Sequence, residues 1–295
     1  MKGQDLEEQI SLLTDSNRML RSRAAFNIGR CALQGQLDRR TLKLLIPLLQ
    51  DADREVRMNS AFAVGEYASR GIFDEAALKP LTKLLKDWSS KVRCRATTAL
   101  GEYAKLGFYS RGIIKTLLRF LTDDDKELRA NAGWTLGIYA VKDILEKNSS
   151  ELIEKILKTQ DPNVKVGLSV ALAENIWDVG QMKERFLGKF IELLNHEDPP
   201  IREGVAFIIG ENAEEKKVDE RILNPLLNLL NDPDPHVRAN AVFAIGAIAR
   251  QGVKTNYLIQ KISSSAEDPD KDVRETARNI LQRLVPEKGF ANLES

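Results

Sequence analysis

Hydrophobic and polar positions along this chain return on a fixed beat. The unit is clearest at residues 232–250, D-P-D-P-H-V-R-A-N-A-V-F-A-I-G-A-I-A-R. Asp and Pro open it, as they open helices. Ala241, Ile245 and Ala249 follow the Val237-Arg238 pair at helical spacing, with Gly246 among them. Taking Arg238 as the anchor, the same place is held by Arg21, Arg57, Arg93, Arg129, Lys165, Arg202 and Arg274. Each step is 36 residues except the 37 from Lys165 to Arg202. Eight residues after the anchors stand Gly29, Gly65, Gly101, Gly137, Ala173, Gly210, Gly246 and Gln282. A period of this length held through the whole chain specifies a solenoid.

Each period predicts two helices. The first is plainest at Leu42–Leu49, Leu78–Leu85 and Leu223–Leu230, where Pro47, Pro80 and Pro225 read as one shared kink. The second is the anchored stretch. Between them a turn carries Asp15, Asp51, Asp87, Asp123, Asp161, Asp198, Asp232 or Asp268. No strand-like alternation intervenes. The expected fold is all-α, an α-solenoid of about eight two-helix repeats in a single domain over residues 1–286, with 287–295 a flexible tail. The repeats fall at about 1–36, 37–72, 73–108, 109–144, 145–180, 181–217, 218–253 and 254–286.

The pattern D-x-D-x-x-V-R-x-x-A-x-x-A-[IL]-G resembles the HEAT repeat, in the short form related to the repeats of phycobilin lyases. The resemblance covers about residues 3–285. It implies a right-handed superhelix whose second helices line a concave groove. Repeat five departs most, with Lys165 for Arg, Ala173 for Gly and the one longer spacing after it. With Gly167 and Gly204, these make the centre the expected flexible point. Repeat eight carries Arg278, Asn279, Gln282 and Arg283 where other repeats are mainly apolar, as a terminal cap should.

At 100° per residue, offsets +3, +4, +7 and +11 from the anchor form the buried face. The periodic Arg and Asp columns read as a ladder, each Arg bonding a turn Asp in its own or the adjacent repeat. The opposite face is the candidate partner-binding surface. It gathers Asn59, Arg95, Asn131 and Asn240 at offset +2, and Phe62, Trp134, Phe207 and Phe243 at +5. Glu66, Glu102, Glu174 and Glu211 stand at +9, with Tyr67 beside the first of them and Asn212 beside the last. The aromatic residues either pack between neighbouring helices or meet a ligand. The acids either select a basic or amphipathic segment or are simply solvated.

Composition narrows the function classes. Lys and Arg total 44 against 43 Asp and Glu, a net charge of +1, which disfavours nucleic acid as a partner. Residues 1–119 nevertheless hold 21 cations and 13 anions, hence +8, and the remainder is −7. Two cysteines and two histidines lack metal-ligand spacing, and no phosphate loop or nucleophile motif occurs. No cofactor, metal or catalysis is expected. The start lacks a signal peptide and no run is long enough to span a membrane, so the expected location is cytoplasmic, or nuclear in a eukaryotic source. The expected function is a protein–protein interaction scaffold. Two alternatives follow from the resemblance: nucleic-acid binding, as in HEAT-like DNA glycosylases of alkylation repair, and chromophore attachment, as in the phycobilin lyases.

Overall fold

The protein is described here by a computed structural model. Described are all residues except 1–2, 109, 148–150, 160, 179–180, 183, 214–217, 254 and 285–295, and the side chains of 3–5, 111, 141–147, 151, 172–178, 181–182 and 185–186 are also left aside. The expected tail therefore lies outside the described residues, as do the side chains of Ala173 and Glu174.

The chain forms two compact units, Met1–Tyr139 and Ala140–Ser295. In the first, short helices alternate with long ones: α1 (Gly3–Leu12), α2 (Arg18–Leu33), α3 (Arg40–Leu48), α4 (Arg54–Ser69), α5 (Leu78–Leu84), α6 (Ser90–Lys105), α7 (Ile114–Phe120) and α8 (Lys126–Lys147), which runs past the boundary. The second unit repeats the alternation with α9 (Glu151–Leu157), α10 (Pro162–Ile176), α11 (Glu184–Leu194), α12 (Pro199–Ala213), α13 (Leu223–Asn228), α14 (Pro235–Arg250), α15 (Thr255–Ser265) and α16 (Lys271–Leu284). This is the all-α repeat architecture expected. The sole departure among the described residues is a two-residue antiparallel pair, Trp177–Asp178 with Gln181–Met182.

Long helices pack side by side: α2 on α4 and α4 on α6 in one unit, α12 on α14 and α14 on α16 in the other. Each short helix rests on the long helix that follows it, as α3 does on α4 and α5 on α6. Between the layers lie Leu42, Leu45, Val56, Val64, Leu81 and Val92, all at or near zero exposure. Burying each such side chain contributes about 1.5–3 kcal/mol.

Two acidic columns, not one, start the long helices. Six residues before the anchor, Asp51 accepts the N–H of Asp53 at 2.8 Å. Four before it, Asp53 caps α4 by accepting from Glu55 and Val56 at 2.9 and 3.3 Å. Asp161 and Asp198, read from sequence as members of the first column, belong to the second: Asp161 caps α10 through the N–H of Asn163 and Val164. The first column holds Thr159 and His196 in repeats five and six. After α2, α4, α6 and α14 the chain turns left-handed at Gly35, Gly71, Gly107 and Gly252, with φ 77° at Gly71. The proline kink also needs correcting. Pro80 and Pro225 are each the third residue of their helix, whereas Pro47 is the next-to-last residue of α3.

The arginine ladder forms, and it joins repeats. Arg57 donates from Nη1 to the carbonyls of Asp51 and Ala52 in its own turn, at 2.8 and 2.9 Å. Its Nε reaches Asp87 of the next repeat at 2.7 Å. The same clasp joins Arg21 to Asp51, Arg93 to Asp123, Arg202 to Asp232 and Arg238 to Asp268, at 2.7–3.0 Å. Lys165, lacking the fork of a guanidinium, pairs with Glu203 at 2.7 Å.

Glycine eight residues past the anchor receives the next repeat. A Cβ on Gly29 would lie 2.5 Å from the ring of Phe62, and one on Gly65 would lie 3.2 Å from the backbone of Ala99. Gly101 is likewise filled by Trp134, and Gly210 by Phe243. Gly204 is filled by Leu157, so it is a packing position. The first repeat closes its outer side with polar groups: Asn27, where repeats two and three have Ala63 and Ala99, bonds Gln9 at 3.0 Å. At the other end Arg278, Asn279, Gln282 and Arg283 are exposed.

Replacing Gly101 with Leu, which favours helix over Gly, should still cost about 1–3 kcal/mol in urea unfolding, because Trp134 must move. A pH effect follows from the ladder. The hydrogen bond from Arg238 holds the Asp268 carboxyl below its ordinary range. A depressed carboxylate stabilises the fold above the unfolded value of about 3.9 and loses that contribution as pH falls through the folded value. The melting temperature should therefore drop below about pH 4, and Arg238→Gln should flatten part of that drop.

Candidate partner-binding surface

The long helices have one side against the short helices and one side turned away. The outward side is where offsets +2, +5 and +9 project. On the first unit these residues form a connected set. Phe26 and Phe62 have ring centroids 5.9 Å apart. The Arg95 guanidinium lies 5.4 Å from the Phe62 centroid. Farther along, the Lys105 ammonium sits 4.8 Å from the Trp134 ring and 3.4 Å from Glu102. Such cation–ring contacts contribute about 0.5–1 kcal/mol at exposed sites.

Glu66 lies at the centre of this set, half-buried on α4. Burial raises its pKa, the negative charge of Glu102 raises it further, and Arg70 and Arg95 oppose both. Glu66 makes no ion pair within the described residues. It is thus a partly dehydrated carboxylate beside a second one, with only distant cations to offset it.

The aromatic residues serve two roles. Phe62, Trp134 and Phe243 each press one part of the ring into the preceding repeat's glycine and leave the rest half-exposed. In the second unit Phe207 and Phe243 stack with centroids 6.3 Å apart. The sequence alternatives, packed or ligand-facing, are therefore not exclusive.

The asparagine column proves to be a clasp. Asn59 donates to the Ser22 carbonyl and hydroxyl at 3.2 and 3.0 Å, Asn131 to the Cys94 sulfur at 2.8 Å, and Asn240 to Glu203 at 3.3 Å. Each amide ties its repeat to the one before and stays half-exposed. Burial pushes the Cys94 thiol up to about 12, so it is an inert acceptor. Glu211 is exposed on α12. Glu174 belongs to α10, and its side chain is outside the described set.

Tyr67 does not belong to the surface. One residue past Glu66 the helix has turned 100°, and Tyr67 is fully buried. Its hydroxyl accepts the N–H of Asp38 at 3.3 Å, and Tyr103 and Tyr139 do the same for Asp74 and Ser110 at 3.4 and 3.2 Å. Tyr103 also donates to the Asp74 carbonyl at 3.1 Å. These tyrosines pin the loop that enters each repeat. Asn212, expected beside Glu211, is buried too and bonds Ser169 at 3.1 Å. The outward-facing residue that sequence reading missed is Lys105. Its signal was present, since Glu102 and Lys105 are three apart on one helix.

Among the described residues no cluster of His, Cys, Asp and Glu is placed to hold a metal ion, and no helix is long and apolar enough to cross a membrane.

The family model described as HEAT repeats matches residues 6–100, 78–173 and 187–282. No curated protein matches the chain. Among solved structures it is similar to a designed armadillo repeat protein, at 21% identity and a TM-score of 0.42, over 95% of this chain and 100% of that one. It is also similar to an engineered protein at 22% identity and 0.46, over 96% and 79%. A third is a designed armadillo repeat protein in complex with the peptide (KR)4, at 19% identity and 0.40, over 95% and 99%.

Tyr103→Phe should remove about 1 kcal/mol of stability, read from thermal or urea unfolding, without altering the outward surface, because only a buried loop bond is lost.

Proposed function

The chain belongs to the HEAT-repeat family, and from that premise we propose that it is a non-enzymatic scaffold holding a segment of a partner protein on the outward side of its long helices. The segment is amphipathic with basic residues. Its apolar side chains rest on the half-exposed rings of Phe62 and Trp134, and its cations face Glu66 and Glu102. Phe207, Phe243 and Glu211 offer the same chemistry on the second unit. Asn59, Asn131 and Asn240 keep half-exposed amides at the border of the surface, and Arg95 and Lys105 set its limits.

The observation that carries this reading is Glu66. A half-buried carboxylate whose pKa is raised by burial and by Glu102 is relieved when a partner cation arrives. Hydrophobic rings beside it supply the non-directional part of the binding energy.

The test uses the purified full chain and a fluorescein-labelled amphipathic peptide of leucine and lysine, with a leucine–glutamate peptide as control. Glu66→Gln combined with Glu102→Gln should weaken the lysine peptide about tenfold while the melting temperature holds. Because a bound cation favours the ionised form, affinity should rise with pH through the elevated pKa of Glu66, and binding near that pH should release protons. Equal binding by the double variant, with folding intact, would remove this reading.

A further inference from the structure

In the described turns that precede the long helices, one position serves the arginine ladder through its backbone. Five residues before the anchor stand Ser16, Ala52, Trp88, Asp124, Gln160, Glu197, Pro233 and Pro269. Only the backbone carbonyl there is used, accepting from the ladder arginine: Ser16, Ala52 and Glu197 do so at 2.9 Å, and Trp88 at 3.4 Å. Small, acidic and proline residues all satisfy that duty. Repeat three alone puts an indole there, and it is 70% exposed. Core packing does not account for it, since a tryptophan this exposed forgoes most of the burial that makes the residue useful in a core.

Its surroundings are organised. Arg54, the first residue of α4, places its guanidinium 5.2 Å from the Trp88 ring. Arg18, the first residue of α2, stands one repeat earlier and reaches Asp53 at 2.7 Å. Together they line a hollow of about 500 Å³. The carboxylates beside it are turned inward and spent. Asp51 holds Arg21 with a side chain 7% exposed. Asp53, 16% exposed, caps α4 and takes Arg18. The cations are turned outward, with the Arg18 and Arg54 side chains 69% and 52% exposed. Glu55 meets Arg54 only at 3.4 Å with both groups half in water, a pair that contributes little. What this edge presents to solvent is therefore two guanidinium groups and one aromatic face, on the half of the chain that carries +8.

We propose that this turn edge is a second docking surface, built for an acidic segment of a partner protein that carries one apolar or aromatic side chain. That side chain lies on the solvent-facing side of Trp88, and flanking carboxylates pair with Arg18 and Arg54. Neighbouring packed helices are about 8–10 Å apart, so the two carboxylates are spaced about three residues along an extended strand. Arginine prefers planar bidentate partners, which suits carboxylates at both positions. A nucleic-acid strand fits less well. Its continuous phosphates would pass over Asp51, Asp53 and Glu55, whose negative charge repels them. The surface adjoins the outward side of the long helices but lies at their starts and uses none of Phe62, Glu66, Glu102 or Trp134.

The test is fluorescence anisotropy on the full chain with three labelled probes. One is a short peptide with a phenylalanine set among glutamates, the second has lysines for the glutamates, and the third is oligouridine. The glutamate peptide should bind, weaken as salt rises, and lose about tenfold in affinity with Trp88→Ala or Arg54→Glu. Removing its phenylalanine should weaken it similarly. Both variants should melt at the wild-type temperature, since both side chains are exposed, and Glu66→Gln with Glu102→Gln should leave this binding unchanged. No binding of the glutamate peptide at low salt would overturn the proposal. So would undiminished binding to Trp88→Ala, or preference for oligouridine or the lysine peptide.

Discussion

A guanidinium group carries five N–H donors in a rigid fork, and the stacking of this protein depends on that fork. Arg21, Arg57, Arg93, Arg202 and Arg238 each send one nitrogen to two carbonyls of their own turn and another to a carboxylate of the next repeat, as Arg57 does to Asp51, Ala52 and Asp87. The first contact shapes the turn, and the second sets the register between repeats. An isolated long helix has no such constraint. With Arg57 held between its own turn and Asp87, α4 and α6 are fixed closely enough for Gly65 to meet the Ala99 backbone at 3.2 Å. Close approach, in turn, decides which side chains are left facing outward. The interruption of the ladder in repeats five and six is chemically consistent in both columns. Thr159 and His196 replace carboxylates, and Lys165 replaces the arginine and finds Glu203 instead.

The outward side of the long helices is therefore not a free surface on which function is written independently of folding. Phe62, Trp134 and Phe243 are knobs for glycine holes before they are anything else. Asn59, Asn131 and Asn240 are clasps. A partner would meet only what those contacts leave exposed, namely ring edges, amide oxygens and the carboxylates at offset +9. Glu66 stands apart because stacking gives it burial without an ion-pair partner. Trp88 stands apart for the opposite reason, since its indole stays 70% exposed and meets the preceding repeat at the Arg54 guanidinium.

The groups of the two proposed surfaces stand at opposite ends of the long helices of the first unit. Arg18 and Arg54 stand at the starts of α2 and α4, whereas Glu66 and Glu102 stand in the last turns of α4 and α6. An acidic segment at one edge and a basic segment on the outward side can be held without competing. The two proposed surfaces thus carry opposite sign on one unit.

The sequence by itself determined the repeat, the two helices of each period, the ladder residues and the polar ends. All of these rest on local periodicity, and eight in-phase copies make a local signal unmistakable. The family was legible for the same reason. Whether a given outward position is a contact or a surface was not. Phe62 and Glu66 look equally outward on a helical wheel, but their fates depend on what the neighbouring helix offers: Gly29 for the ring, nothing for the acid. Tyr67 and Asn212 were misplaced because one residue of rotation separates a solvent position from a buried one. Asp161 and Asp198 were assigned to the wrong column because both columns hold acids and only the bonds they make distinguish them. Those distinctions arise from neighbours about 36 residues away in sequence, and only the packed structure decides them.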